Sequence, residues 1–86
     1  TLLFTGGGLA LNPHANYGSL SIGKAAMLNL VKQLGKELAY AKIKVGTVVV
    51  KGYVQANDPV YNPTMIADEF WKIHQEQTYG FRMVEY

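Results

Sequence analysis

The chain has no cysteine, and its charged residues are few and scattered over 86 residues. Without cysteine there is no disulfide framework, no thiolate metal site and no cysteine nucleophile. The two histidines lie far apart in the sequence, so we expect no bound metal. Eight basic residues against six acidic ones give a net charge of +2. Because the basic residues form no stripe, nucleic acid is not an expected partner.

Long apolar segments are absent as well. No apolar run approaches the roughly 20 residues needed to span a bilayer, and no basic-then-apolar leader is present. We therefore expect a cytoplasmic protein with no membrane partner. With 49% hydrophobic and 16% charged residues, the composition is typical of a folded domain. The chain opens inside an apolar run without a methionine, which we interpret as part of a larger protein.

The longest periodic segment, Gly18 to Tyr40, predicts a central helix. At 100° per residue, one side of this helix is apolar and the opposite side is polar. The predicted apolar stripe consists of Leu20, Met27, Leu30, Val31, Leu34 and Leu38. Lys24 falls inside that stripe. Its ammonium therefore either extends along apolar surface to solvent or takes part in chemistry.

Shorter segments on either side of this helix predict the remaining elements. Thr1 to Thr5 is an apolar run before three glycines, which predicts a parallel strand buried on both faces. Ile43 to Val50 is rich in β-branched residues and predicts a second strand. Pro63 to Gln77 follows an asparagine, a pair typical of a helix start, and predicts a second helix. Phe81 to Tyr86 predicts a third strand.

The order of these elements predicts an α/β fold, a partial Rossmann-like (doubly wound) parallel sheet with three strands and two helices. Ligands of such sheets bind beyond the carboxyl ends of the strands, so Gly6 to Asn16 and Lys51 to Asp58 should share one rim. Lys24, near the helix start, faces that rim. The three strands leave an open edge, which a missing half or a second copy of the chain would have to cover.

Most of the chain resembles the C-terminal half of a short-chain dehydrogenase/reductase, through TLLFTGGG, SIGKAAMLNLVKQLGKELA and IKVGTVVVKGYV. The resemblance implies that residues 1–86 are the C-terminal part of a single NAD(P)-binding Rossmann-like domain. It also implies NAD or NADP as cofactor and a small carbonyl or alcohol as substrate. In that family a helix carries Tyr-x-x-x-Lys, whose tyrosine is the general acid/base and whose lysine holds the nicotinamide ribose. A serine of the preceding strand polarises the substrate carbonyl.

The match to these family positions is partial. Lys24 takes the lysine position, and Val54 takes a position that offers backbone contact to the nicotinamide amide. Leu20 stands where the tyrosine belongs, and Gly7 stands near the serine position. Tyr17 is the candidate replacement acid: if the helix extends back to it, it shares the Lys24 azimuth two turns earlier, with backbones about 10 Å apart. If catalysis is lost, the alternative is an inactive nucleotide-binding or sensor protein of the same fold.

Three further features have both a functional and an ordinary structural interpretation. Gly6 to Gly8 follows a strand and suits a phosphate-binding turn, but the helix begins too late for that pattern. His14 is another candidate proton donor, although an exposed loop histidine is the commoner case. Ser21 and Lys24 match Ser-x-x-Lys, a motif of serine acyl-enzymes, and one such match in a chain of this length is near chance.

A small apolar patch interrupts the polar side of the central helix. It consists of Ile22, Ala25 and Ala26. In the resembling family this helix face packs against a second subunit, so the resemblance implies a homo-oligomer. A monomer with a few exposed alanines is the ordinary explanation.

Overall fold

A computed structural model describes all 86 residues of the chain. Three parallel strands form one sheet in the order β1-β2-β3, with β1 at Leu2–Gly7, β2 at Lys44–Val50 and β3 at Gly80–Glu85. Two α-helices connect them, α1 at Gly18–Leu38 and α2 at Pro63–Gln75. The predicted α/β class, with three parallel strands and two helices, is confirmed. The arrangement is compatible with part of a Rossmann-like fold.

β2 is the centre of the molecule. Every residue from Val45 to Val50 is buried, although successive side chains of a strand point to opposite faces. On one face, Val48 and Val50 pack with Ile66 and Ile73 of α2. β-branched side chains suit such a surface, because their restricted rotamers lose little freedom on burial.

α1 covers the other face of the sheet. Gly35 of α1 lies against Phe81 at the start of β3, and Phe81 is in register with Val45 of β2. Gly46 and Val48 of β2 lie against α2, whereas Val45, which points to the other face, is in register with Phe81 beside α1, so the two helices occupy opposite faces. The chain moves across the sheet in one direction through both connections. The two crossovers therefore have opposite hands, and one of them is of the rare left-handed kind.

The inward side of α1 differs from the predicted apolar stripe. Its fully buried residues are Ser21, Val31 and Gly35. Three members of the predicted stripe are exposed, namely Leu20, Met27 and Leu30. A Cβ on Gly35 would lie 2.6 Å from the Cβ of Phe81, so the glycine brings the helix backbone onto β3. This contact rotates the inward side by about 80° from the centre of the stripe.

β1 extends further than the sequence predicts. The three glycines do not end it, because Gly6 and Gly7 pair in regular parallel register with β2. A Cβ on Gly6 would lie 2.9 Å from the Thr47 Oγ1, so the strand fits beside its neighbour at this point as glycine. The outer edge of β1 has no paired strand, and Leu2 and Leu3 are 41% and 39% exposed. The prediction that this strand is buried on both faces is therefore wrong for these residues.

α1 begins at the predicted residue, Gly18. Tyr17 is the N-cap and makes no side-chain capping bond. A turn of 3-10 helix, Ala15–Tyr17, precedes it, and the His14 Nδ1 accepts a hydrogen bond from the Asn16 N–H at 3.1 Å. At its other end α1 stops at Leu38, two residues before the predicted end.

α2 begins as predicted. The Asn62 Oδ1 accepts a hydrogen bond from the Met65 N–H at 2.9 Å, and Pro63 occupies the first turn. The helix ends at Gln75, two residues before the predicted end, where Glu76 turns to extended backbone. Neither helix has the length and apolar character that a bilayer crossing requires.

Candidate functional site

A cavity of about 480 Å³ lies beyond the carboxyl ends of β1 and β2. Gly7 and Gly8 line it from the β1 side, Lys51 and Gly52 line it from the β2 side, and the first turns of α1 form a third wall. This volume falls within the range of about 300–1,000 Å³ that is typical of small-molecule sites. The cavity also occupies the rim where open α/β sheets bind their ligands.

Lys24 lines this cavity with a partly buried side chain. Its Cδ and Cε lie 3.5 Å from the position that a Cβ on Gly7 would take, so its stem passes over the end of β1. Lys24 takes no part in an ion pair or a side-chain hydrogen bond. The ion pairs of the chain are Lys51–Glu85, Lys72–Glu69 and Arg82–Glu76. The three donors of the Lys24 ammonium are therefore free of protein acceptors.

Tyr17 lines the same cavity and is 50% exposed. Its backbone is fixed by a hydrogen bond from its N–H to the His14 carbonyl oxygen at 2.9 Å. The aromatic rings of Tyr17 and His14 are tilted against each other, with centroids 5.7 Å apart. Leu20 also lines the cavity, so an aliphatic side chain occupies the position where the resembling family has its acid. The fold thus brings Tyr17 and Lys24 to one cavity.

Val54 does not line this cavity. It is 53% exposed, and the residue before it, Tyr53, supplies the lining of that loop instead. The residues of α1 that line the cavity therefore do not share this lining with Val54. A contact between its backbone and a nicotinamide amide remains a prediction from the family resemblance.

The other sequence candidates lie elsewhere. Ser21 and His14 line a separate groove between α1 and the loop that precedes it. Ser21 is 4% exposed, and its Oγ accepts a hydrogen bond from the His14 N–H at 3.3 Å, which fixes the loop before α1. Ser21 therefore does not face the cavity that Lys24 lines. The glycine run forms no phosphate-binding turn at a helix start, since α1 begins only at Gly18.

Lys51 is the lining residue whose importance the sequence did not reveal. Its Nζ lies 2.8 Å from the Glu85 Oε1, and its N–H donates to the Tyr86 carbonyl oxygen at 2.9 Å. A lysine directly after a buried strand looks like an ordinary solvated residue. The one sequence feature that pointed to Lys51 was its place on the predicted ligand-binding rim.

The loop between Lys51 and α2 is folded around Asp58. The Asp58 Oδ1 accepts hydrogen bonds from the N–H groups of Tyr61 at 2.7 Å and Val60 at 2.8 Å. These bonds, that of Tyr61 first, hold the pKa of the Asp58 carboxyl below its usual value. The Asn62 side chain donates to the Asp58 carbonyl oxygen at 2.9 Å, so the same network leads into α2. The loop that carries Tyr53 is therefore fixed at the end that joins α2.

Comparison of the chain with models of known protein families, with curated protein sequences and with solved structures gives no significant match. The arguments for a function therefore come from the residues themselves and from the cavity. A nicotinamide dinucleotide fits these residues in part. Lys24 offers a free ammonium for ribose hydroxyls, whereas a glycine-rich turn at a helix start, suited to the pyrophosphate, is not formed within residues 1–86.

Proposed function

We propose that residues 1–86 are the C-terminal part of a single NAD(P)-binding, Rossmann-like domain of a short-chain dehydrogenase/reductase-like oxidoreductase. Its substrate is a small carbonyl or alcohol, and its cofactor is NAD or NADP. One observation carries the proposal: Lys24 and Tyr17 line a single cavity at the carboxyl ends of parallel strands. The family chemistry uses a lysine, a tyrosine and a serine, and the cavity lining contains the first two of these groups.

Each side chain has a distinct role in the proposed reaction. The Lys24 Nζ donates hydrogen bonds to the ribose hydroxyls and so orients the nucleotide. The bound dinucleotide supplies or accepts the hydride. The Tyr17 Oη gives its proton to the carbonyl oxygen during reduction and takes a proton from the alcohol during oxidation. Both side chains line the cavity, so a ligand bound there would lie within reach of both groups.

A catalytically inactive nucleotide-binding or sensor protein of the same fold is the second candidate. Leu20 favours it, because a side chain without a titratable group lines the cavity at the family's acid position. Gly7 adds to this argument, since it has no hydroxyl with which to polarise a carbonyl. The two candidates share the binding role of Lys24 and differ in the role of Tyr17.

The test uses the intact protein with NADH and NADPH and a panel of reactive aldehydes and ketones. Tyr17→Phe should lower the rate of cofactor oxidation by at least about 100-fold and leave cofactor affinity unchanged. Lys24→Ala should weaken cofactor binding. Tyr40→Phe is the matched control, because Tyr40 is 86% exposed beyond the other end of α1. Cofactor binding without oxidation in the parent protein would overturn the enzyme and leave the sensor.

The proposal includes a homo-oligomer in the cytoplasm, assembled through the outer side of α1. Ile22 is 73% exposed there, beside the exposed Ala25 and Ala26. A large apolar side chain flanked by small ones lets another helix approach closely. Ile22→Glu should lower the molecular mass measured by sedimentation, and Asp68→Lys, a charge change at an exposed position of α2, should not.

A further inference from the structure

The charged residues that line the cavity are all basic. Its lining contains two lysines, Lys24 and Lys51, and no carboxylate. Lys24 has no ion-pair partner, and the only carboxylate paired with Lys51 belongs to Glu85, which lies outside the lining. Two lysines in the lining of one concave site, one of them with an unpaired ammonium, favour a ligand of negative charge.

The Lys51 backbone is fixed, whereas its side chain is held only by an exposed ion pair. Its N–H donates to the Tyr86 carbonyl oxygen, which continues the β2–β3 ladder past the end of β2. A Cβ on Gly8 would lie 3.3 Å from the Lys51 Cα and 3.7 Å from its Cβ and Cγ, so the stem starts at the cavity wall. From there the ammonium extends to Glu85.

The ion pair between Lys51 and Glu85 is easily exchanged. Its side chains are 47% and 46% exposed, and water screens such pairs strongly. A lysine ammonium is a point charge on a flexible four-carbon stem, so it can turn to a new acceptor without moving the backbone. The Glu85 carboxylate therefore binds the Lys51 ammonium only weakly.

We propose that Lys51 anchors an oxyanion of the ligand and that Glu85 is the counter-ion which this oxyanion replaces. The oxyanion is a carboxylate of the carbonyl substrate or a phosphate of the nucleotide. This inference rests on the proposed function for the identity of both ligands, while the preference for negative charge follows from the cavity lining. Lys24 remains assigned to the ribose hydroxyls.

The test measures binding of a matched pair of aldehydes to the intact protein by calorimetry, without cofactor. 4-Formylbenzoate and its methyl ester share a ring and an aldehyde, and only the first is charged. The parent should bind the acid at least about fivefold more tightly than the ester at low salt. Lys51→Gln should remove this preference, and Glu85→Gln should increase it. Raising the salt to about 0.5 M should weaken it, because salt screens exposed charges.

A second titration, with NADPH and the same variants, identifies the source of the oxyanion. If Lys51→Gln weakens NADPH binding and leaves the two aldehydes unchanged, the oxyanion is a phosphate. Lys36→Gln, which removes a charge from α1 outside the cavity lining, should change neither titration. The inference is overturned if Lys51→Gln changes neither NADPH binding nor the preference for the acid over the ester. It is also overturned if the parent protein binds neither NADPH nor the aldehydes. Charge-dependent binding without hydride transfer would refute the proposed function alone.

Discussion

α1 and α2 cover opposite faces of one strand and pack against it in different ways. α2 uses large side chains, with Ile73 only 1% exposed against Gly46 of β2. α1 uses small residues, since Gly35 brings its backbone onto β3, Ser21 packs under the loop before the helix, and its leucines lie to one side. An apolar stripe thus identifies the inward side of a helix only where large side chains make the contact.

This difference changes the meaning of Lys24. In the predicted stripe it is an exception among leucines. In the structure it lies on the sheet-facing side, which runs through Ser21, Lys24, Leu28, Val31 and Gly35 at helical spacing. Small residues at both ends of this side let the lysine stem lie along the end of β1. The close packing of α1 is therefore what brings Lys24 to the cavity.

Gly35→Val is expected to have the largest effect. A Cβ there would lie 2.8 Å from the Phe81 backbone N and Cα, and a strand backbone does not move aside easily. We expect a loss of more than about 3 kcal/mol in the free energy of unfolding. Gly23→Ala, a helical position with nothing near its Cβ, should instead gain about 0.5–1 kcal/mol. Urea unfolding of both variants measures the difference, and a harmless Gly35→Val would show that α1 does not pack through its small residues.

Val31→Ala and Leu30→Ala test which side of α1 is the inward one. Val31 is 1% exposed, and its truncation should cost about 2 kcal/mol of unfolding free energy. Leu30 is 47% exposed and should cost less than about 1 kcal/mol. Equal losses in urea unfolding would contradict the comparison, because they would mean that the leucine stripe is buried as well.

The two helix starts should respond differently to loss of the N-cap side chain. Asn62→Ala removes the hydrogen bond to the Met65 N–H and should cost about 1 kcal/mol. Tyr17→Phe keeps the ring at the N-cap of α1, where the side chain makes no capping bond, and should cost less than about 0.5 kcal/mol. Thermal unfolding of the two variants provides the measurement. A larger loss in Tyr17→Phe would reveal a stabilising role for the phenol.

The smallest effect is expected from the loop before α2 at acid pH. The pKa of Asp58 is lower in the folded protein than in the unfolded chain, because two backbone N–H groups donate to its carboxylate. Its stabilisation is therefore present above the unfolded value of 3.8 and is lost as the pH falls through the folded value. Asp58→Asn should make unfolding less sensitive to pH below about 4. Asn57→Asp, next to it, is the control for a general charge effect.

Local patterns were sufficient to predict the order and type of the elements. β-branched residues identified β2, and the pair Asn62 and Pro63 identified the start of α2. The rotation of α1 was not predictable, since it depends on a contact between Gly35 and Phe81, which are distant in the sequence. The extension of β1 through Gly6 was not predictable either, because it depends on pairing with β2, which is also distant in the sequence.

The candidate site was predictable to a similar degree. Lys24 was found because it breaks a pattern, and Tyr17 because it shares the same azimuth. Lys51 breaks no pattern, and only the fold shows that it lines the same cavity as Lys24, from the β2 side, and reaches Glu85 on another strand. Val54 was placed by resemblance alone and stays a prediction, while the neighbouring Tyr53 lines the cavity.

The outer edge of β1 has a consequence for handling the protein. From Leu2 to Gly7 this strand is regular, uncharged and free of proline, and natural sheets protect such edges with lysine, proline or a bulge. Its unpaired N–H and C=O groups offer a template on which further strands can add by cross-β growth. Slow, concentration-dependent fibre formation is therefore the hazard when this edge is uncovered. A lysine at Thr5 should suppress it while leaving the cavity intact.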